Sequence, residues 1–192
     1  MSRDESRFKK FEDYGYVLDF LPKGKPISSR GIYRAEPIIQ LVGEAYYTLL
    51  EATPRSGIDV THGERVYVGK DRIRAKVGHI ISRISYDELT VTAKSELPVV
   101  LEEIVAKNED QYVHFFNNAQ PVTPRMHSLE LIPGIGKKFT WAILELRDRL
   151  SFSSFQDIRD RVQIPDPVKL IGKRILEELS EEPKYRLFTR PP

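Results

Sequence analysis

The hydrophobic pattern of the chain changes period once along its length, and that change limits the fold more than any single motif. Through residue 85 the apolar positions fall in short runs: GYVLDFL at 15–21, EPIIQLVG at 36–43, AYYTLLEAT at 45–53, GERVYVG at 63–69 and GHIISRIS at 78–85. The runs are rich in β-branched and aromatic residues, and GERVYVG alternates with period two, as half-buried strands do. PKGKP at 22–26, PRSG at 54–57 and VGKD at 68–71 separate them with residues that favour turns. Five short strands without intervening helices predict a small closed or partly closed β-barrel.

From residue 95 the period becomes helical. Ser95 is a candidate cap, and Leu97, Leu101, Ile104 and Val105 share one face. Asn108 separates a second short helix carrying Tyr112, Val113 and Phe116. These helices, at 95–118, are expected to cover one face of the barrel. The polar, proline-containing NAQPVT at 118–123 reads as a domain boundary. Beyond it Thr123-Pro124 reads as the cap and first position of a helix reaching Ile132. A helix over KKFTWAILELRDRL buries Phe139, Ala142, Ile143, Leu146 and Leu150. Ser154 caps a third helix with Phe155, Ile158 and Val162 inward and Asp157 three residues after the cap. Asp166-Pro167 starts a fourth with Val168, Ile171, Ile175 and Leu179 on one face, ended by Glu181, Glu182 and Pro183. The expected fold class is therefore α+β. It comprises a flexible tail over 1–14, a five-stranded barrel domain over 15–120 and an all-α domain over 121–192.

The all-α part contains a repeat. IPGIGKKFTWAILEL at 132–146 lies over IPDPVKLIGKRILEE at 164–178, with Ile132 over Ile164, Pro133 over Pro165 and Phe139 over Ile171. Two such units predict a pair of helix–hairpin–helix elements packed as one domain. In the first, Pro133-Gly134-Ile135-Gly136 sits between the end of one helix and the start of the next. Glycine permits backbone angles closed to other residues and leaves no side chain in the way. The free amides opening the next helix, with its dipole behind them, make an anion site for which phosphate is the natural occupant. Lys137 and Lys138 add charge. The alternative is a plain tight turn between helices. In the second copy Asp166 stands at the position of Gly134 and Pro167 at that of Ile135. Proline removes a donor and aspartate caps the helix while repelling phosphate, so this copy is expected to be structural.

Composition narrows the chemistry. The chain has no cysteine, which excludes disulfides, thiolate zinc sites and cysteine nucleophiles. His62, His79, His114 and His127 are scattered, with no metal-ligand spacing. No apolar run approaches the roughly 20 residues of a membrane helix. The charged N-terminus does not read as a secretory signal. A cytoplasmic protein without membrane partners is expected. Net charge is only +2, yet residues 65–83 hold six basic residues and one acidic one, a local excess of the kind that attracts polyanions.

The stretch LELIPGIGKKFTWAILELRDRLSFSSFQDIRDRV resembles the helix–hairpin–helix family of DNA- and RNA-binding modules, particularly the tandem form in DNA-uptake receptors. That resemblance implies backbone-phosphate binding by the hairpin amides, on Gly134, Ile135 and Gly136, supported by Lys137 and Lys138. It also implies a monovalent cation held in some members by hairpin carbonyls; no other cofactor is expected. Over nearly the full length, YGYVLDFLPKG, GERVYVGKD and the PGIG hairpin resemble the archaeal family DUF655. Its members pair an OB-like barrel with this C-terminal module, have no assigned activity and are regarded as nucleic-acid-binding with a link to RNA.

Oligonucleotide-binding barrels combine a basic groove with aromatic rings on which bases stack. Arg65, Lys70, Arg72, Arg74, Lys76 and Arg83 supply the charge, and Tyr46, Tyr47 and Tyr67 supply rings. Each tyrosine also reads as a half-buried core residue, and Tyr46 and Tyr47, adjacent on a strand, face opposite sides. Paired acids at 87–88, 102–103 and 109–110 do not converge as nuclease carboxylates must. No phosphate loop, nucleophile elbow or kinase set appears. The sequence thus points to a non-enzymatic nucleic-acid binder, RNA ahead of DNA. The alternatives are a DNA repair or recombination accessory protein, and a protein-interaction adaptor whose hairpins are scaffold only.

Overall fold

The structure is a computed structural model and describes residues 11–25, 36–181 and 183–190. The part of the expected tail at 1–10, Pro26 of the first turn segment and Glu182 lie outside the described residues. Two compact units divide the chain, one running to Ile84 and the other beginning at Ser85. The architecture is α+β, a curled five-stranded antiparallel sheet and, among the described residues, five α-helices.

The first unit is the sheet. Its strands are β1 (Tyr14–Leu21), β2 (Ile38–Gly43), β3 (Leu49–Pro54), β4 (Arg65–Tyr67) and β5 (Val77–Arg83). They lie in the order β4-β1-β2-β3-β5. β1 pairs with β2 along its length and with β4 at its first three residues. A register shift between Val17 and Asp19 bends it, as bulges do. β4 and β5 are the two edges, unpaired with each other, so the sheet closes only partway into an OB-like half-barrel. Val17, Ile39, Leu41, Leu50, Ala52, Val66 and Val77 fill its inside, one residue in two along each strand, as the pleat requires.

Two expectations change in this unit. Residues 11–13 are not tail: the buried Glu12 carboxylate accepts the amides of Ala45, Tyr46 and Thr48 at 2.9–3.2 Å, fixing the turn between β2 and β3. Tyr46 and Tyr47 lie in that turn and not on a strand. Tyr47 adopts a left-handed φ of 57° and is 2% exposed, while Tyr46 is half-buried.

The second unit contains α1 (Val91–Lys107), α2 (Glu109–Asn118), α3 (Lys137–Arg149), α4 (Phe155–Val162) and α5 (Pro167–Ser180). The expected barrel domain over 15–120 therefore takes in too much, because α1 and α2 belong with the C-terminal helices. The physical reason is the packing of α1 on α5. Gly172 of α5 approaches Glu102 of α1 so closely that an added Cβ would stand 3.2 Å from its Cγ. α1 also begins four residues before Ser95, because Thr90 accepts the amide of Ala93 at 3.0 Å. Asn108 does separate α1 from α2.

The segment expected as a helix over 123–132 forms no α-helix. β6 (Pro121–Thr123) pairs with β7 (Met126–His127), and a one-turn 3-10 helix follows over Ser128–Leu131. The Thr123 hydroxyl accepts the amide of Arg125, two residues on, and so shapes a turn where a helix cap was expected. The region after residue 120 is thus not all-α. Ser154 and Asp166 cap α4 and α5 as their positions predict, each accepting an amide at 3.0 Å. Two arginines finish other helices. Arg147 donates to the carbonyls of Phe116 and Ala119 at the end of α2, and Arg161 to those of Leu146 and Leu150 at the end of α3. Among the described residues no helix is long and apolar enough to cross a membrane.

Candidate functional site

The hairpin begins where the 3-10 turn stops at Leu131. Ile132 and Ile135 are buried, and the Ile135 amide donates to the Ile132 carbonyl at 2.9 Å, closing the turn. Gly134 sits inside that turn at φ 91°, a conformation that side-chain-bearing residues rarely adopt. Gly136 differs. Its φ of −85° and ψ of −176° suit any residue, and an added Cβ would meet nothing within 4 Å. It is the N-cap of α3 and offers no side chain to the amides of Lys137, Lys138 and Phe139, so these face outward uncapped. Lys137 and Lys138 are exposed and, among the described residues, make no ion pair. Of the five residues expected at the hairpin, Gly136, Lys137 and Lys138 border open space, Gly134 shapes the turn, and Ile135 has its amide occupied and its side chain 2% exposed.

The second copy supplies a contrast within the same molecule. There Asp166 accepts the Val168 amide at 3.0 Å and Pro167 lacks an amide hydrogen. The opening of α5 is thus closed by its own chain, whereas that of α3 is not.

The cations of the first unit divide by what they already hold. Arg65 makes a two-pronged ion pair with Glu44 at 2.7 and 3.0 Å and lies 3.5 Å over the ring of Tyr14. The Glu44 hydrogen bond raises its pKa further. Lys76 pairs with Glu64, whose carboxyl is held below the usual range chiefly by that lysine. Arg74 donates to the carbonyls of Val68, Gly69 and Gly78. Lys70, Arg72 and Arg83 have no carboxylate partner among the described residues, although Lys70 lies over the ring of Phe11 and Arg72 over that of Tyr67. Tyr67 is half-buried, edge-on to Tyr14, and its hydroxyl accepts the Asp71 amide at 3.1 Å.

Two clefts gather these groups. Lys70, Arg74, His79 and Arg83 line one of about 360 Å³, with Phe11 and Ile80 as apolar walls. Arg55, Lys70, Arg72 and Arg74 border another of about 510 Å³. Arg65 and Lys76 line neither. The sequence reading did not single out Arg55 or His79. The antiparallel pairing of β3 with β5, and the Arg55 amide donating to the Lys76 carbonyl at 2.7 Å, bring His79 to the first cleft and Arg55 to the second.

Among the described residues no group of three or more His, Asp or Glu side chains is placed to hold a metal ion. Comparison with known proteins bears on ancestry. The family described as protein of unknown function (DUF655) matches residues 11–190. The uncharacterised protein MJ0038 of Methanocaldococcus jannaschii is 45% identical over 184 residues, which are 95% of this chain and 82% of that protein. The crystal structure of Af1531 from Archaeoglobus fulgidus, of the same family, superposes with a TM-score of 0.84 at 49% identity. That match covers 93% of this chain and 100% of the other. With the strand runs, the half-barrel and the PGIG hairpin all lying within the matched residues, the chain belongs to the DUF655 family.

Proposed function

We propose that the protein is a non-enzymatic nucleic-acid binder that grips the sugar–phosphate backbone without reading sequence. RNA is the expected ligand and DNA the alternative, in the cytoplasm. In this reading residues 128–149 form a helix–hairpin–helix element whose first arm has shrunk to a 3-10 turn. Residues 155–180 form its structural copy. The observation that carries the reading is Gly136. Its backbone angles do not require glycine and its Cβ position is empty. As the N-cap it leaves the amides that open α3 without a side-chain acceptor, beside two exposed lysines. Glycine at such a place suits a ligand that approaches the backbone closely. Lys70, Arg72 and Arg83 of the half-barrel form the second surface, with Arg55 and His79 beside them.

The resemblance also implies a monovalent cation at the hairpin. The Ile132 and Gly136 carbonyls already accept the amides of Ile135 and Thr140, so Pro133, Gly134 and Ile135 would supply its ligands. Phosphate binding by the amides does not depend on it.

The test is fluorescence anisotropy with single-stranded RNA, structured RNA and duplex DNA across a salt series. Affinity is expected to fall with salt, with a log–log slope of about −0.7 for each single-strand phosphate neutralised. Gly136→Ala is expected to weaken every sequence alike by roughly tenfold or more, the size of losing charge-assisted hydrogen bonds, while the fold is kept. A wild-type protein with no salt-dependent affinity for any polynucleotide would contradict the reading and favour a protein-interaction adaptor. Degradation of the RNA on adding magnesium or manganese would contradict the absence of catalysis.

A further inference from the structure

Trp141 is the chain's single tryptophan, and it is 71% exposed. A side chain of that size is highly buried on average, because its area contributes more to a core than almost any other. Here it stands on α3, one turn beyond the uncapped amides. Helical spacing puts it on the same face as Lys137 and Lys138, four and three residues earlier. The distance along the axis is about one turn, roughly 5.4 Å. Farther along this face come Glu145, which pairs with Arg149, and Asp148, whose side chain is 82% exposed. The face is therefore basic and aromatic over its first two turns, and after them its charges are of both signs and paired. The exposed lysines, without an ion-pair partner among the described residues, lie on the hairpin side, so a polyanion is drawn from Trp141 back over the hairpin.

We infer that Trp141 is a stacking platform for an unpaired base whose phosphate sits on the α3 amides, so that the hairpin prefers single-stranded over fully paired nucleic acid. The inference rests on the phosphate reading above and adds the strandedness of the ligand. The charge of the neighbours favours this occupant over an apolar protein surface. Two lysines and the positive end of a helix flank the ring, and an indole face offers a base a sequence-independent contact. In a duplex the bases are already stacked on one another, and the ring finds none free.

The single tryptophan is its own reporter. Titrating the full chain with a short single-stranded RNA of mixed sequence should quench its emission, with the same midpoint as anisotropy. Trp141→Ala should weaken the single strand about tenfold, the size of one stacked base, and should leave a blunt duplex DNA of equal length within about twofold. Trp141→Phe should restore most of the loss. If Gly136→Ala weakens binding while Trp141→Ala binds the single strand as wild type does, or if emission stays constant through saturation, the stacking inference fails and the phosphate reading stands. If the wild type binds neither ligand, both fail.

Discussion

Gly134 and Gly136 stand one residue apart and serve different ends. The first holds a positive φ, so Gly134→Ala should destabilise the protein by about 1–2 kcal/mol, the strain of a left-handed residue with a Cβ. Gly136→Ala changes only an N-cap in open space and should shift stability by less than about 1 kcal/mol. Urea midpoints at unchanged slope would measure both. The pair was readable in the sequence as a break before a helix. The inertness of Ile135 was not, since a free amide looks the same in sequence as one bonded to the carbonyl three residues back. His127 offers a second prediction at this scale. Burial, with Arg147 nearby, lowers its pKa below the usual 6.5, and its Nδ1 accepts the Leu129 amide at 3.2 Å. The unfolded chain therefore takes up the proton first. Its contribution is complete above about pH 6.5 and is lost as pH falls below that toward the depressed folded value. His127→Gln should flatten that part of the stability–pH curve relative to wild type.

Among the elements, α5 departs most from its expected face. The apolar stripe Val168, Ile171, Ile175 and Leu179 predicts one buried side, yet Arg174 and Glu178 are the buried pair next to Ile171 and Ile175. Glu178 is fully buried and accepts from Arg174 Nε at 2.9 Å, from the amides of Leu187, Phe188 and Thr189, and from the Thr189 hydroxyl. Arg174 also donates to the Tyr185 carbonyl. The carboxylate thereby anchors the C-terminal segment, and Phe188 packs edge-on against Tyr112 and Phe115 of α2. An Arg–Glu pair four residues apart reads as a solvated surface pair in sequence, and nothing local announces that a later segment will cover it. Glu178→Ala leaves the buried guanidinium only the longer carboxylate contact to Glu177 at 3.9 Å and orphans four donors. It should destabilise by about 3–5 kcal/mol and release amides 187–189 to rapid hydrogen exchange. The helix caps show the opposite case: Ser154 and Asp166 act through amides two or three residues away, and were readable for that reason.

For the whole molecule, the change of period predicted the five strands and the α+β class, but not where one unit gives way to the next. NAQPVT has the composition of a linker, yet it leads into a small β-ribbon inside the second unit. Long-range packing of α1 on α5, through Gly172, sets the boundary near residue 85. A fragment over 85–192 should therefore unfold cooperatively on heating, followed by circular dichroism. A fragment over 121–192, lacking α1 and α2, should expose the buried faces of α5 and Phe188 and show no cooperative transition.

The central claim is that the opening amides of α3 hold a backbone phosphate. Amide chemical shifts measured during titration with a short single-stranded RNA test it most directly. The account predicts saturable shifts at Gly136, Lys137, Lys138 and Phe139 that weaken with added salt, with little change at Val168 in the capped second copy. Equal shifts at both helix openings, or shifts confined to the half-barrel while 136–139 stay still, would contradict it.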